Sequence, residues 1–232
     1  MRSLPEGFRA IVFGAGGALG GAFVEAIRSL PACAEVVASS RQSGPAVDVE
    51  DEASIRAAAQ ALQGRAPFHL IINATGALHV GGAAPEKRMA DLDAATLARA
   101  FSINAIAPAL LLKHFTPLLP GSGRCIFATL SARVGSIGDN RKGGWYGYRA
   151  SKAAQNMIVR TAAIEVARRR PEAVIAALQP GTVRSRLSAA VIGDAPAMDP
   201  TDAARRLLAV LDGLGAGASG GFFAYDGSAV PW

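Results

Sequence analysis

The chain has 232 residues, 50% of them hydrophobic and 18% charged, with 26 glycines, 13 prolines, 2 cysteines and 3 histidines; this excludes a disordered or collagen-like chain and suits one large domain over 1–232. Cys33 and Cys125 cannot build a disulfide scaffold and point to a reducing, cytoplasmic setting, while His69, His79 and His114 lie at no metal-ligand spacing, so no metal is expected. The charge of +6 is dispersed, its one dense run (Arg168-Arg169-Arg170) closes a helical pattern, and no long uninterrupted apolar run is present, so neither nucleic acid nor membrane is an expected partner.

Short apolar runs alternate with longer amphipathic ones. A strand is expected over 9–13, a helix over 18–30, a strand over 35–39 and a short one near 46–49. A helix over 51–62 and a strand over 68–73 follow, and 93–119 contains a long helix that must accommodate Pro108. Next come a strand over 124–130, a helix over 145–170 and a strand over 173–178. Pro200 opens a helix through Leu211, and 222–225 is the last strand.

The strands are continuous apolar runs, as expected when both faces are covered. Repeated strand–helix order with right-handed crossovers makes this an α/β fold, a doubly wound parallel sheet in three αβα layers (the Rossmann fold). Between Arg41 and Asp48 the chain is too short for a crossover helix, so a short loop is expected to replace the second one. The irregular stretch 182–199 reads as a substrate loop within the same domain.

The first strand runs into Gly14-Ala15-Gly16-Gly17-Ala18-Leu19-Gly20-Gly21, and a helix follows. Glycines there permit a tight turn and let backbone N–H groups approach a phosphate at the positive helix end, though they also serve close packing alone. Position after the first strand favours dinucleotide binding. The second strand ends in Ser39-Ser40-Arg41. A guanidinium where a carboxylate would bind the ribose 2′-OH suits a 2′-phosphate, hence NADP, with NAD possible and a plain surface arginine the alternative. Asp48 is placed to accept from an adenine amino group.

Tyr148 and Lys152, four residues apart on one helix, share a face. An ammonium beside a phenol favours the phenolate and brings tyrosine toward the range of proton transfer, although the lysine stem stacking on the ring would explain the pair equally well. Ser131 ends a strand, where its hydroxyl can hold a carbonyl oxygen. Asn104 sits in the apolar helix and must be hydrogen-bonded if buried.

In order along the chain, Gly14-x-x-x-Ala18-x-Gly20, Asp48-Val49, Asn73-Ala74-Thr75-Gly76, Asn104, Ser131, Tyr148-x-x-x-Lys152 and Pro180-Gly181 resemble the short-chain dehydrogenases/reductases. The stretch from Leu130 to Asn156 is more narrowly similar to their C-factor-like carbonyl reductase branch. The resemblance implies an enzyme that moves hydride between NADPH and a small carbonyl or alcohol. Tyr148 would donate or accept the proton, Lys152 would lower its pKa and bind the nicotinamide ribose, Ser131 would polarise the substrate oxygen, and Asn104 would hold a relay water. It also implies cofactor contacts from Gly14, Gly17, Ala18, Leu19, Arg41, Asp48, Val49, Asn73, Ala74, Tyr148, Lys152, Pro180, Val183 and Ser185.

Departures are visible. Ala18 and Ala74 stand where the family usually has glycine and asparagine, and Ser185 where it has threonine. Ser131 lies farther from Tyr148 than is usual, which leaves Ser136 as a competitor, whereas Tyr146 is excluded by its spacing to Lys152. Paired long helices imply a homodimer or homotetramer. The competing function is a catalytically silent dinucleotide-binding regulatory or signalling protein.

Overall fold

The computed structural model describes residues 1–192 and 196–232. Strands β1 (Phe8–Phe13), β2 (Cys33–Ser39), β3 (Leu70–Asn73), β4 (Cys125–Leu130), β5 (Ala173–Gln179) and β6 (Phe222–Ala224) form one sheet in the order β2-β1-β3-β4-β5-β6, with every adjacent pair parallel. Successive side chains of β1 point to opposite faces and into separate cores. Ile11 and Phe13 join Ile55, Phe115, Phe127 and Val159 on one face. Ala10 and Val12 join Phe23, Ile27, Ile126 and Leu207 on the other. The helices behind these cores are α2 (Glu52–Leu62), α4 (Ala107–Phe115) and α5 (Tyr146–Ala167) on the first side, and α1 (Ala18–Arg28) and α7 (Pro200–Gly213) on the second. The expected three-layer doubly wound fold is therefore present.

The chain departs to one side of β1 for β2 and returns on the other for β3, so the sheet reverses direction there, and Phe13 pairs in register with Asn73 at the shared carboxyl end. Such switch points open a crevice for ligands. As expected, no helix forms between Arg41 and Asp48, but the short strand expected over 46–49 does not form either, so the second crossover of the sheet runs from β2 through α2 to β3. The chain instead folds back on itself: Val47 N–H donates to Ser40 O at 3.0 Å and the Ser39 hydroxyl to Pro45 O at 2.8 Å. These bonds hold the segment against the end of β2, which remains the edge strand of the sheet.

The long helix expected over 93–119 is interrupted. α3 (Ala94–Phe101) passes into a π turn, Ser102–Ile106, before α4. Pro108 cannot donate the N–H that Asn104 O would take in an α-helix, and a wider turn absorbs the loss. Taken together, Ala94–Leu118 is long and apolar enough to cross a bilayer by composition, but Leu111, Leu112 and Phe115 form one wall of the core. The stretch expected as a loop over 182–199 contains a short helix, α6 (Arg186–Ile192), and its residues 193–195 lie outside the described residues.

Candidate active site

The buried stripe of α5 is polar near its start: Ser151, Lys152, Gln155 and Asn156 are all within 3% of full burial. Tyr148 lies half-buried one turn before Lys152, whose Nζ is 5.9 Å from the phenol ring centroid. The Lys152 Nζ donates to Leu130 O at 2.9 Å and to Gln155 Oε1 at 2.8 Å. Leu130 closes β4, so the strand end and the lysine meet directly, and Ser131 is the next residue.

The Ser131 hydroxyl is buried and donates to Asn156 Oδ1 at 2.6 Å. The competing Ser136 is also buried, but its Oγ accepts from Asp139 N–H at 3.1 Å within its own turn. Asn104, fully buried in the π turn, accepts from Ala77 N–H at 2.9 Å and donates to Ala77 O at 2.8 Å and Ser151 Oγ at 3.2 Å. Gly76 sits between the two groups: a Cβ there would lie 3.3 Å from Asn104 Oδ1 and 3.4 Å from Lys152 Nζ. Tyr148, Lys152, Ser131 and Asn104 are thus gathered at the carboxyl ends of β3 and β4.

Electrostatics differ from the expectation for the Tyr–Lys pair. Burial pushes the Tyr148 phenol up to about 12 and the Lys152 ammonium down to about 7. Desolvation disfavours both charged forms and outweighs their mutual attraction here.

The second cluster lies at the switch point. Gly14 has φ +77°, and a Cβ on it would press to 2.9 Å from the Ala74 carbonyl carbon and oxygen. A Cβ on Gly20 would collide with the Gly14 carbonyl oxygen. The residue preceding α1 is Gly17, which has no side chain to cap it, so backbone N–H groups of the first turn (Ala18 and Leu19) are presented at the positive helix end. A Cβ on Gly16 would lie 3.7 Å from Ser40 Cβ, which sets the turn beside the end of β2, where Arg41 is exposed. Such an uncapped, close-packed start suits a pyrophosphate, and the residues fit a dinucleotide.

Asn73 is fully buried. Its Nδ2 donates to Thr129 Oγ1 at 3.1 Å and its Oδ1 accepts from Thr75 N–H at 3.0 Å, so one side chain braces β3, β4 and the loop beyond. Asp48 is exposed and accepts from Glu50 N–H at 3.1 Å, with Val49 half-buried beside it. Beyond β5, Pro180 leads to Gly181. Val183 is buried and bridged to Met198, and the Ser185 hydroxyl accepts from Ser188 N–H at 3.2 Å, which commits it to the start of α6.

Asn156, Gln155 and Glu86 escape the sequence reading. The first two lie three and four residues after Lys152, a polar pair on a buried face, and that spacing is a usable signal. Glu86 belongs to a distant loop and has no local signature. It walls a narrow cleft beside Tyr148 together with Ala77, Leu78, Val80, Ala84 and Pro85.

The family model described as "Enoyl-(Acyl carrier protein) reductase" matches 22–211. The chain is 37% identical over 145 residues to C-signal of Myxococcus xanthus (62% of this chain, 83% of that one). It is 30% identical over 199 residues to 1-hydroxy-2-glutathionyl-2-methyl-3-butene dehydrogenase of Rhodococcus sp. strain AD45 (86% and 84%). Among solved structures it is similar to the NADPH-bound carbonyl reductase from chicken fatty liver, with a TM-score of 0.87, 25% identity and coverage of 99% and 96%. The carbonyl reductase Sniffer of Drosophila melanogaster shares the fold, with a TM-score of 0.82 at 21% identity over 97% and 99% of the two chains.

Proposed function

The chain belongs to the short-chain dehydrogenase/reductase family of NAD(P)-dependent oxidoreductases, and on that premise we propose that it transfers hydride between NADPH and a small carbonyl or alcohol, with Tyr148 giving or taking the proton. The observation that carries this reading is the convergence of Tyr148, Lys152, Ser131 and Asn104 at one end of the sheet. The bound dinucleotide supplies or accepts the hydride.

Tyr148, its phenol raised to about 12 by burial, stays protonated at neutral pH and so is in the donor form for a carbonyl oxygen; the raised value also makes it a weaker acid, which a neighbouring cation offsets. Donation leaves a phenolate whose neighbouring cation is Lys152. That lysine, at about 7, gains and loses a proton near neutrality and can restore the phenol. Ser131 orients and polarises the substrate oxygen, its hydroxyl held by Asn156 until then. Asn104 fixes the loop at Ala77 beside the lysine.

Gly14, Gly17, Ala18 and Leu19 would hold the pyrophosphate, and Arg41 a 2′-phosphate. Asp48, Val49, Asn73 and Ala74 would line the adenosine side, and Pro180, Val183 and Ser185 the nicotinamide side. The NADPH bound in the chicken relative supports the cofactor choice. Apart from Glu86, Thr96 and Tyr148 the cleft walls are small aliphatic side chains, which suit a modest apolar carbonyl compound. Exposed Ile106 in the π turn before α4, with exposed Met157 and Ile164 on α5, supports a homodimer or homotetramer through this face. The relative named C-signal favours one second reading, a dinucleotide-binding signalling protein without turnover.

One experiment separates them. A panel of aldehydes and ketones is screened by following NADPH oxidation, with Tyr148→Phe alongside. The expected result is turnover by the wild type and a loss of at least ~10²-fold in the variant, with NADPH binding retained. Full activity in Tyr148→Phe would overturn the assigned role, and no turnover with any carbonyl would favour the signalling reading.

A further inference from the structure

We propose that Gln155 is a positioning residue for Lys152: its side-chain oxygen holds the lysine nitrogen behind Tyr148 and favours the charged ammonium. The inference rests on the reading of Tyr148 and Lys152 as the proton-transfer pair.

Gln155 is fully buried, where a leucine of similar volume would pack without needing any partner, so its amide must be accounted for group by group. Its Nε2 donates to Thr129 Oγ1 at 2.8 Å and to Leu130 O at 3.1 Å. Both are acceptors facing the amide nitrogen, which fixes the amide with Oε1 turned toward Lys152, 2.8 Å from Nζ. Thr129 Oγ1 is held in turn by Asn73 Nδ2 at 3.1 Å. A buried polar chain therefore runs from β3 through β4 to the lysine, and none of Asn73, Thr129, Gln155 and Lys152 is more than 3% exposed.

In such surroundings a hydrogen bond to an ammonium is stronger than one to a neutral amine, so an oriented acceptor favours the protonated lysine. Tyr148 is the titratable neighbour of Lys152, and Asn104 across Gly76 and Ser131 beside Leu130 are neutral. Of the charged groups nearby, Glu86 accepts from Gly147 N–H at the start of α5. Arg133 pairs with Asp139 in the turn after β4.

The test uses cofactor-free protein labelled with carbon-13 at the lysine ε carbon. The chain has only Lys87, Lys113, Lys142 and Lys152, the first three exposed, and Lys152→Met assigns the fourth signal. The expected result is a Lys152 titration that falls by about one to two pH units in Gln155→Met, from the loss of one charge-assisted hydrogen bond, and rises in Gln155→Glu. Thr129→Val, which unpins the amide but leaves the lysine's own bonds, should give a smaller fall. A packing role alone would lower the melting temperature of all three variants without opposite shifts. A titration that is unmoved, or moves the same way in Gln155→Met and Gln155→Glu, would overturn the proposal. Neither cofactor nor turnover enters this measurement, so failure to reduce any carbonyl would refute the assigned activity and leave the titration result standing. Normal turnover with an unmoved titration would refute only the role of Gln155.

Discussion

Replacing Glu86 tests whether the active-site helix is held from outside its own sequence. Trp145, the residue before α5, adopts φ 54° and ψ 45° and offers no side-chain cap; for a bulky residue this left-handed conformation costs on the order of 1–2 kcal/mol. Glu86 provides what the cap lacks. Its backbone oxygen accepts from Trp145 N–H at 2.5 Å, and its carboxylate accepts from Gly147 N–H at 3.2 Å. Gly147 permits that approach, since a Cβ there would lie 2.9 Å from Glu86 Oε1.

Glu86→Ala strands a buried N–H, at roughly 1–3 kcal/mol, and removes a negative charge from a helix start, at about 0.3–1 kcal/mol. At roughly 2–4 °C per kcal/mol for a chain of this size, the melting temperature should fall by about 3–16 °C. Glu86→Gln keeps the acceptor and gives up only the charge, so its fall should be about 1–4 °C. Calorimetry reads the stability, and steady-state kinetics with NADPH reads the positioning of Tyr148, one residue beyond Gly147. The expected kinetic pattern is a lower kcat in Glu86→Ala with little change in KM for NADPH. Wild-type melting in Glu86→Ala would refute the capping argument. Reduced stability with an unchanged kcat would refute its link to Tyr148.

Arg41→Asp should weaken NADPH binding by at least ~10-fold while sparing NADH, as fluorescence titration of both cofactors would read, because a carboxylate repels the 2′-phosphate that the guanidinium attracts; equal losses would remove Arg41 from that role. Gly20→Ala forces a methyl group onto the Gly14 carbonyl oxygen, whereas Gly16→Ala places one in ordinary contact with Ser40. The first should lose cofactor binding and roughly 1–3 kcal/mol of stability, the second little of either, and equal behaviour of the two by denaturant titration would contradict the packing of the turn. Light scattering should give a dimeric or tetrameric mass, reduced by Ile164→Lys if the exposed face of α5 is the contact; a monomeric wild type would contradict it.

Much of the fold was legible because it depends on local pattern. The apolar runs of β1, β4 and β5 are buried on both faces, and each ends within one position of the expected bounds. The elements that differed were decided by contacts the pattern does not contain. The run 46–49 has the residues of a strand, but Val47 finds its partner in Ser40 rather than in a neighbouring strand. Pro108 announced an irregularity in the long helix, and the structure resolves it as a π turn that also buries Asn104. In the site, Tyr148, Lys152, Ser131 and Asn104 could be picked out by type and spacing. Gln155 and Asn156 could have been, since polar residues at i+3 and i+4 from a buried lysine face the same interior. Glu86 could not, because its contact with α5 joins residues 61 positions apart.

The ionisation of the Tyr–Lys pair shows where a spacing argument stops. Four residues on one helix bring a phenol and an ammonium together, and the expected consequence is a more acidic phenol. That consequence requires the ammonium to stay charged, and burial opposes it from both sides, raising Tyr148 to about 12 and lowering Lys152 to about 7. A phenol that holds its proton is a poor base for oxidising an alcohol at neutral pH; it is in the donor form for a carbonyl oxygen, yet at about 12 it is a weaker acid than a free phenol. The cost of forming phenolate falls as soon as Lys152 is protonated, because the charges then compensate in a medium that screens them weakly. Whatever favours the protonated lysine therefore adjusts the balance between reduction and oxidation. In this chain the groups in position to do so are the Leu130 carbonyl and the Gln155 oxygen. Of these two, only Gln155 is set by a side chain.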